Sequence, residues 1–89
     1  MVRWKVVFTK KALRDSELLK AAKLDKKAKK IINEMQKDPY IIPPPFEKLK
    51  ADLSGKFSRR INIKHRIVYD IIPSDNLIRV YGMFSHYGE

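Results

Sequence analysis

Eighty-nine residues with a formal net charge of +10, 44% hydrophobic content and no cysteine describe one small domain, 1–89, with enough apolar side chain to bury a core. Such a chain has no disulfide framework, no thiol nucleophile and no thiolate metal site. No apolar run approaches the ~18 residues of a membrane span and no signal-type apolar region follows Met1, so a cytoplasmic protein without a membrane partner is expected.

The positive charge predicts a polyanionic partner, nucleic acid first and an acidic protein second. It is unevenly spread. Residues 1–50 hold 14 Lys+Arg against 6 Asp+Glu; residues 51–89 hold 6 against 4, and four of those six are arginine. Lysine supplies a diffuse field, whereas the planar guanidinium makes bidentate phosphate contacts. The division suggests lysines for steering and arginines for a defined site.

In chain order, alternation of Val2, Trp4, Val6 and Phe8 with Arg3 and Lys5 predicts a strand over 2–8. Thr9 is a suitable N-cap for a helix to about Lys23, with Ala12, Leu13, Leu18, Leu19 and Ala22 as a loose apolar set. Asp25 is a second candidate cap. The stripe Leu24, Ala28, Ile31, Ile32 and Met35 predicts a helix that ends at Asp38-Pro39, because proline disfavours helix in the residue before it. Three prolines in Tyr40-Ile41-Ile42-Pro43-Pro44-Pro45-Phe46 predict an extended crossover, pinned by Ile41, Ile42 and Phe46. A short helical turn over 49–53 is expected, closed by Ser54-Gly55. Strands follow at about 57–63, 65–72 and 76–84, with a turn at Pro73-Ser74-Asp75-Asn76.

Strand alternation sorts the side chains of this last region. Ile61 and Ile63, then Ile67, Tyr69 and Ile71, then Ile78, Val80 and Phe84 are expected to face the helices. Arg60, Asn62, Arg66, Arg79, Tyr81 and Met83 are expected on the opposite face. The fold class is therefore α+β: an N-terminal strand, a helical hairpin and a three-stranded antiparallel meander, with both helices packed on one sheet face.

A solvent-facing sheet bearing arginines suits an anion. Arg66 lies mid-strand, where backbone pairing holds it. His86 follows the last strand and is a natural proton donor near neutral pH, with Tyr87 beside it. His65 alternates away from Arg66 and is given no role. Glu47 is a carboxylate in a basic stretch beside Lys48 and Lys50. Together these groups suit RNA cleavage by transesterification: Glu47 accepts the 2′-hydroxyl proton, Arg66 stabilises the phosphorane, and His86 protonates the leaving 5′-oxygen. No metal site and no cofactor are called for. Lys50, Arg59, Arg60, Arg79 and Tyr81 are the expected RNA contacts.

The segments Leu49-Lys50-Ala51-Asp52-Leu53-Ser54-Gly55, Phe57-Ser58-Arg59-Arg60-Ile61, Lys64-His65-Arg66-Ile67-Val68-Tyr69 and His86-Tyr87 together resemble the Txe/YoeB toxins of the RelE/ParE superfamily. The resemblance runs from Phe46 to Tyr87, and its tandem pattern is more specific than any one of its motifs. The first 45 residues match in layout, with a first helix rich in Lys, Ala and Leu where relatives often carry aromatics.

The resemblance implies an mRNA endonuclease acting in the ribosomal decoding site, partnered by mRNA, ribosomal RNA and a cognate antitoxin of YefM/Axe type; it also admits a homodimer. It places the catalytic set on Glu47, Arg66, His86 and Tyr87, and it draws Glu47 from the proline-stiffened connection rather than from a strand. Two other readings compete. A toxin of the same fold acting on DNA gyrase would lack the Glu/Arg/His-Tyr set, and a plain RNA-binding module would be indifferent to His86.

Overall fold

The computed structural model describes residues 3–42, 45–50 and 54–83. In chain order these form β1 (Lys5–Phe8), α1 (Lys10–Ala21), α2 (Asp25–Lys37), β2 (Phe46–Lys48), β3 (Phe57–Arg60), β4 (Arg66–Ile72), a 3-10 turn at Pro73–Asp75, and β5 (Leu77–Gly82). The five strands make one mixed sheet in the order β1-β5-β4-β3-β2. The pair β1–β5 is parallel, with Lys5 opposite Leu77; the other pairs are antiparallel. The α+β class holds, with one strand more than the sequence suggests: β2, a three-residue edge strand on β3.

Thr9 caps α1 as its chemistry predicts. Its Oγ1 accepts from Ala12 N at 3.1 Å and donates to Tyr81 O at 2.9 Å, which ties the helix start to β5. The buried face of α1 is Ala12, Asp15 and Leu19, not Leu13 or Leu18, which are exposed. Asp15 is tolerated inside because its Oδ2 accepts Met83 N at 2.9 Å and Lys11 Nζ at 3.0 Å, which offsets the cost of burying a carboxylate. In α2 the N-cap position is Leu24, without a side-chain cap bond. Asp25 instead sits in the first turn, where its carboxylate suits the positive end of the helix dipole. Ala28, Ile31 and Met35 are buried there, with Leu24 and Ile32 packed beside them.

The helices cover one sheet face. Leu19, Met35, Ile61, Ile67, Tyr69, Ile78 and Val80 are all essentially inaccessible to solvent, and each such aliphatic side chain contributes about 1.5–3 kcal/mol. Three expectations fail for local reasons. Ile63 is 85% exposed because β3 ends at Arg60 and the chain turns. Asn62 Oδ1 accepts from Lys64 N and His65 N, and His65 O accepts from Ile61 N. Buried His65 thus helps close a turn.

Met83 is the second exception: it is buried against the helices. Val68 opposes Gly82 while Tyr69 opposes Val80, so Tyr81 is an extra residue in β5. A bulge of this kind reverses facing for the residues beyond it. The third is Ile42, which is exposed and pins nothing. The turn at the other end of β4 forms as expected, with Asn76 taking left-handed backbone at φ 50. Gly55, at φ +88, supplies the same freedom at the tip of the β2–β3 hairpin. The expected helical turn over 49–53 falls largely outside the described residues; Leu49 instead donates to Lys56 O at 2.9 Å, extending that hairpin.

Candidate nucleic-acid interface

The sheet face away from the helices carries the charged groups. Register defines its members: Glu47 opposes Ser58, Ser58 opposes Val68, Arg60 opposes Arg66, and Asp70 opposes Arg79. Glu47 therefore comes from a strand, β2, and not from the proline connection itself. Its carboxylate is 64% exposed and its Oε2 lies 3.9 Å from Arg66 Nη1.

The two residues sit on strands separated by β3, a span of about 10 Å between backbones. Their side chains reach over Ser58, which is small and buried. A larger residue there would hold them apart.

Arg66 is largely enclosed, at 18% side-chain exposure. Its Nε is buried and donates to no acceptor among the described residues. A buried unpaired donor is costly; the 18% of the side chain that remains exposed is the part an outside anion can reach. Arg60 stands directly opposite Arg66 in the β3–β4 ladder. Like charges in that relation repel, and a phosphate between them relieves the repulsion. Burial separates the two: Arg60 is exposed and Arg66 is not.

Farther along β4, Asp70 organises a second group with β5. It accepts Arg79 Nε at 3.4 Å, Arg79 Nη2 at 3.2 Å and Tyr81 Oη at 2.8 Å. Asp70 also strengthens the protonated form of Arg79. The Tyr81 phenol is pushed above its usual value of 10.0, first by desolvation and then by Asp70. Arg79 remains 43% exposed, and Tyr81 is half-buried beside it.

Lys56 Nζ lies 4.6 Å from the centre of the Tyr81 ring. Sequence reasoning missed Lys56, although alternation back from Ser58 and Arg60 puts it on the same face. Lys50 is exposed beyond β2. His86 and Tyr87 lie outside the described residues; the chain leading to them is anchored by the Asp15 bond to Met83 N.

Arg59 does not belong to this surface. It is fully buried on the helix-facing side, opposite Phe46 of β2 and Ile67 of β4. Its Nε donates to Tyr69 Oη, its Nη1 to Ile41 O and its Nη2 to Pro39 O, each at 2.8 Å. RNA has no access to it. The alternation that turns Ile61 inward turns Arg59 inward as well, and that signal outweighs the attraction of an Arg-Arg pair in the sequence.

A cavity of about 440 Å³ lies elsewhere. It is an apolar cleft between β1 and the helices, lined by Val6, Phe8, Leu13, Leu19, Ile32 and Met83 among others. The charged cluster is instead spread over an open sheet face, a shape suited to a polymer rather than an enclosed small molecule.

A family model described as the YoeB-like toxin of bacterial type II toxin–antitoxin systems matches residues 8–87. The chain belongs to this family. The YoeB toxin of Synechocystis sp. is 46% identical over 56 residues, 63% of this chain and 65% of the relative; the alignment thus spans a little under two thirds of that YoeB. Among solved structures, a YoeB/ParE toxin from Agrobacterium tumefaciens superposes with a TM-score of 0.84 at 30% identity, covering 93% of this chain and 99% of the other. YoeB from Staphylococcus aureus, 31% identical over 96% of this chain and 99% of the other, superposes with TM-scores of 0.79 in a YoeB–YefM complex and 0.80 in a YoeB dimer. The YoeB-like fold therefore accounts for the two helices and the five-stranded sheet.

Proposed function

We propose that this YoeB-like chain is a ribosome-dependent mRNA endoribonuclease, held inactive by a cognate antitoxin of the YefM/Axe kind. The observation that carries the reading is the meeting of Glu47 and Arg66 at 3.9 Å over Ser58, on an open cationic sheet face, in a chain of this family.

The chemistry follows from the groups. The Glu47 carboxylate accepts the proton of a ribose 2′-hydroxyl, and the 2′-oxygen attacks the adjacent phosphorus. Charge builds on the non-bridging oxygens, where Arg66 presents the exposed part of its guanidinium. The P–O5′ bond breaks and His86 supplies the proton to the leaving oxygen. The products are a 2′,3′-cyclic phosphate and a 5′-hydroxyl end. Tyr87 completes the set beside His86.

Lys50, Lys56, Arg60, Arg79 and Tyr81 hold the RNA strand. The lysines of α1 and α2 meet ribosomal RNA, with an affinity that falls steeply with salt. The S. aureus YoeB–YefM complex supports an antitoxin as the natural partner, and the S. aureus YoeB dimer supports self-association.

The test is mRNA 5′-end mapping on programmed ribosomes with wild type, Glu47→Ala, Arg66→Ala and His86→Ala. Codon-positioned cuts by wild type that disappear in the variants support the reading. Full activity in His86→Ala overturns the mechanism. No cutting, with stalled replication in cells, favours a gyrase-directed toxin.

A further inference from the structure

We propose that Arg59 is a positioning residue for Glu47: a buried guanidinium that ties Pro39 and Ile41 at the start of the crossover to Phe46 at its end and so fixes where β2, and the base it carries, stands relative to Arg66. The inference rests on the nuclease reading for the word base, and on geometry alone for the rest.

The geometry is a bracket. Arg59 sits in β3 directly opposite Phe46, the residue before Glu47. Its guanidinium carbon lies 5.0 Å from the centre of the Phe46 ring, so it packs against the first residue of β2. The same group binds the carbonyls of Pro39 and Ile41 at the start of the crossover and the Tyr69 phenol on β4. One side chain thus joins both ends of the crossover to the strand next but one.

β2 is three residues long at the sheet edge, held by its ladder to β3 and by Phe46 edge-on to Phe57 at 5.7 Å, and so short an edge strand is weakly held by pairing alone. Three prolines stiffen the connection but do not choose its path. Directional bonds from a planar donor fork do. Tyr69 fits as the fork's third acceptor: burial pushes its phenol up from 10.0 despite the opposing effect of Arg59, so it remains neutral and accepts the Nε–H.

Arg59→Lys keeps a cation but loses the planar fork, and Tyr69→Phe removes a single acceptor. Amide hydrogen exchange on the full chain is the first readout. Protection at Leu49 and the β2 amides is expected to fall about tenfold or more in Arg59→Lys and less in Tyr69→Phe, with β4 and β5 unchanged. Unchanged β2 protection overturns the proposal, and so does an equal loss across the whole sheet.

The second readout is cleavage kinetics. Arg59→Lys is expected to lower kcat by about tenfold to a hundredfold with little change in KM, and to add nothing in a Glu47→Gln background. Losses that multiply in that background overturn the link to Glu47. A wild type that cleaves no RNA defeats the nuclease reading, while the exchange data still decide whether Arg59 holds β2.

Discussion

Arg59 and Arg66 show what the two faces of one sheet do with the same side chain. Arg59 faces the helices, is fully buried, and spends its donors on Tyr69 and the carbonyls of Pro39 and Ile41. Arg66 faces away, keeps a long contact to Glu47, and leaves Nε uncommitted among the described residues. A guanidinium with its donors satisfied inside the protein braces structure; one that is only partly engaged and reaches the open face can meet an outside anion. The number of arginines matters less than the parity that distributes them.

Substitutions should separate the faces cleanly. The largest effect is expected on the open side: Glu47→Ala and Arg66→Ala each lower mRNA cleavage by about 10²–10³-fold, with thermal melts close to wild type because neither side chain enters the core. On the other side, Met35→Ala and Ile67→Ala should each cost about 2–5 kcal/mol in denaturant unfolding, with cleavage preserved wherever the fold is populated. Either variant losing activity while fully folded would blur the division.

Two smaller effects sharpen it. Arg60→Ala should reduce the slope of log affinity against log salt for single-stranded RNA by about 0.7 and leave stability equal or slightly higher, since it removes repulsion with Arg66. Titration gives the last. Both Tyr69 and Tyr81 have phenols raised above 10.0 in the folded chain, chiefly by burial. A raised folded value means that stability is whole below 10.0 and declines as pH climbs through the folded values. Melts should be insensitive to these groups at neutral pH and fall in strong base, and Tyr69→Phe should soften that fall.

Much of the frame was legible because its signals are local. Thr9 capped α1, the Ala28–Ile31–Met35 stripe set the buried side of α2, and Asn76 took the left-handed position its side chain tolerates. What escaped depended on distant contacts. β2 has no alternation to betray it in Phe46-Glu47-Lys48; it exists because β3 offers an edge and Arg59 holds its first residue. Asp15 reads as a surface residue until Met83 N is found beside it. Met83 itself was misassigned because the extra residue in β5 reverses facing, and nothing in the sequence around Tyr81 marks it. At the site, Glu47, Arg60 and Arg66 could be chosen from residue type and parity, but the small Ser58 that lets the carboxylate and the guanidinium meet is evident only from register.

The parallel pairing of β1 with β5 sets the order of events during synthesis. Lys5 emerges early, yet its partner Leu77 is added only after both helices, the crossover and three further strands have been made. Until then β1 has no sheet to join, and the helices lack the central strands whose side chains they cover. Pairings so distant in sequence form late. A nascent chain therefore carries β1 and both helices well before the strands that join and cover them have been made.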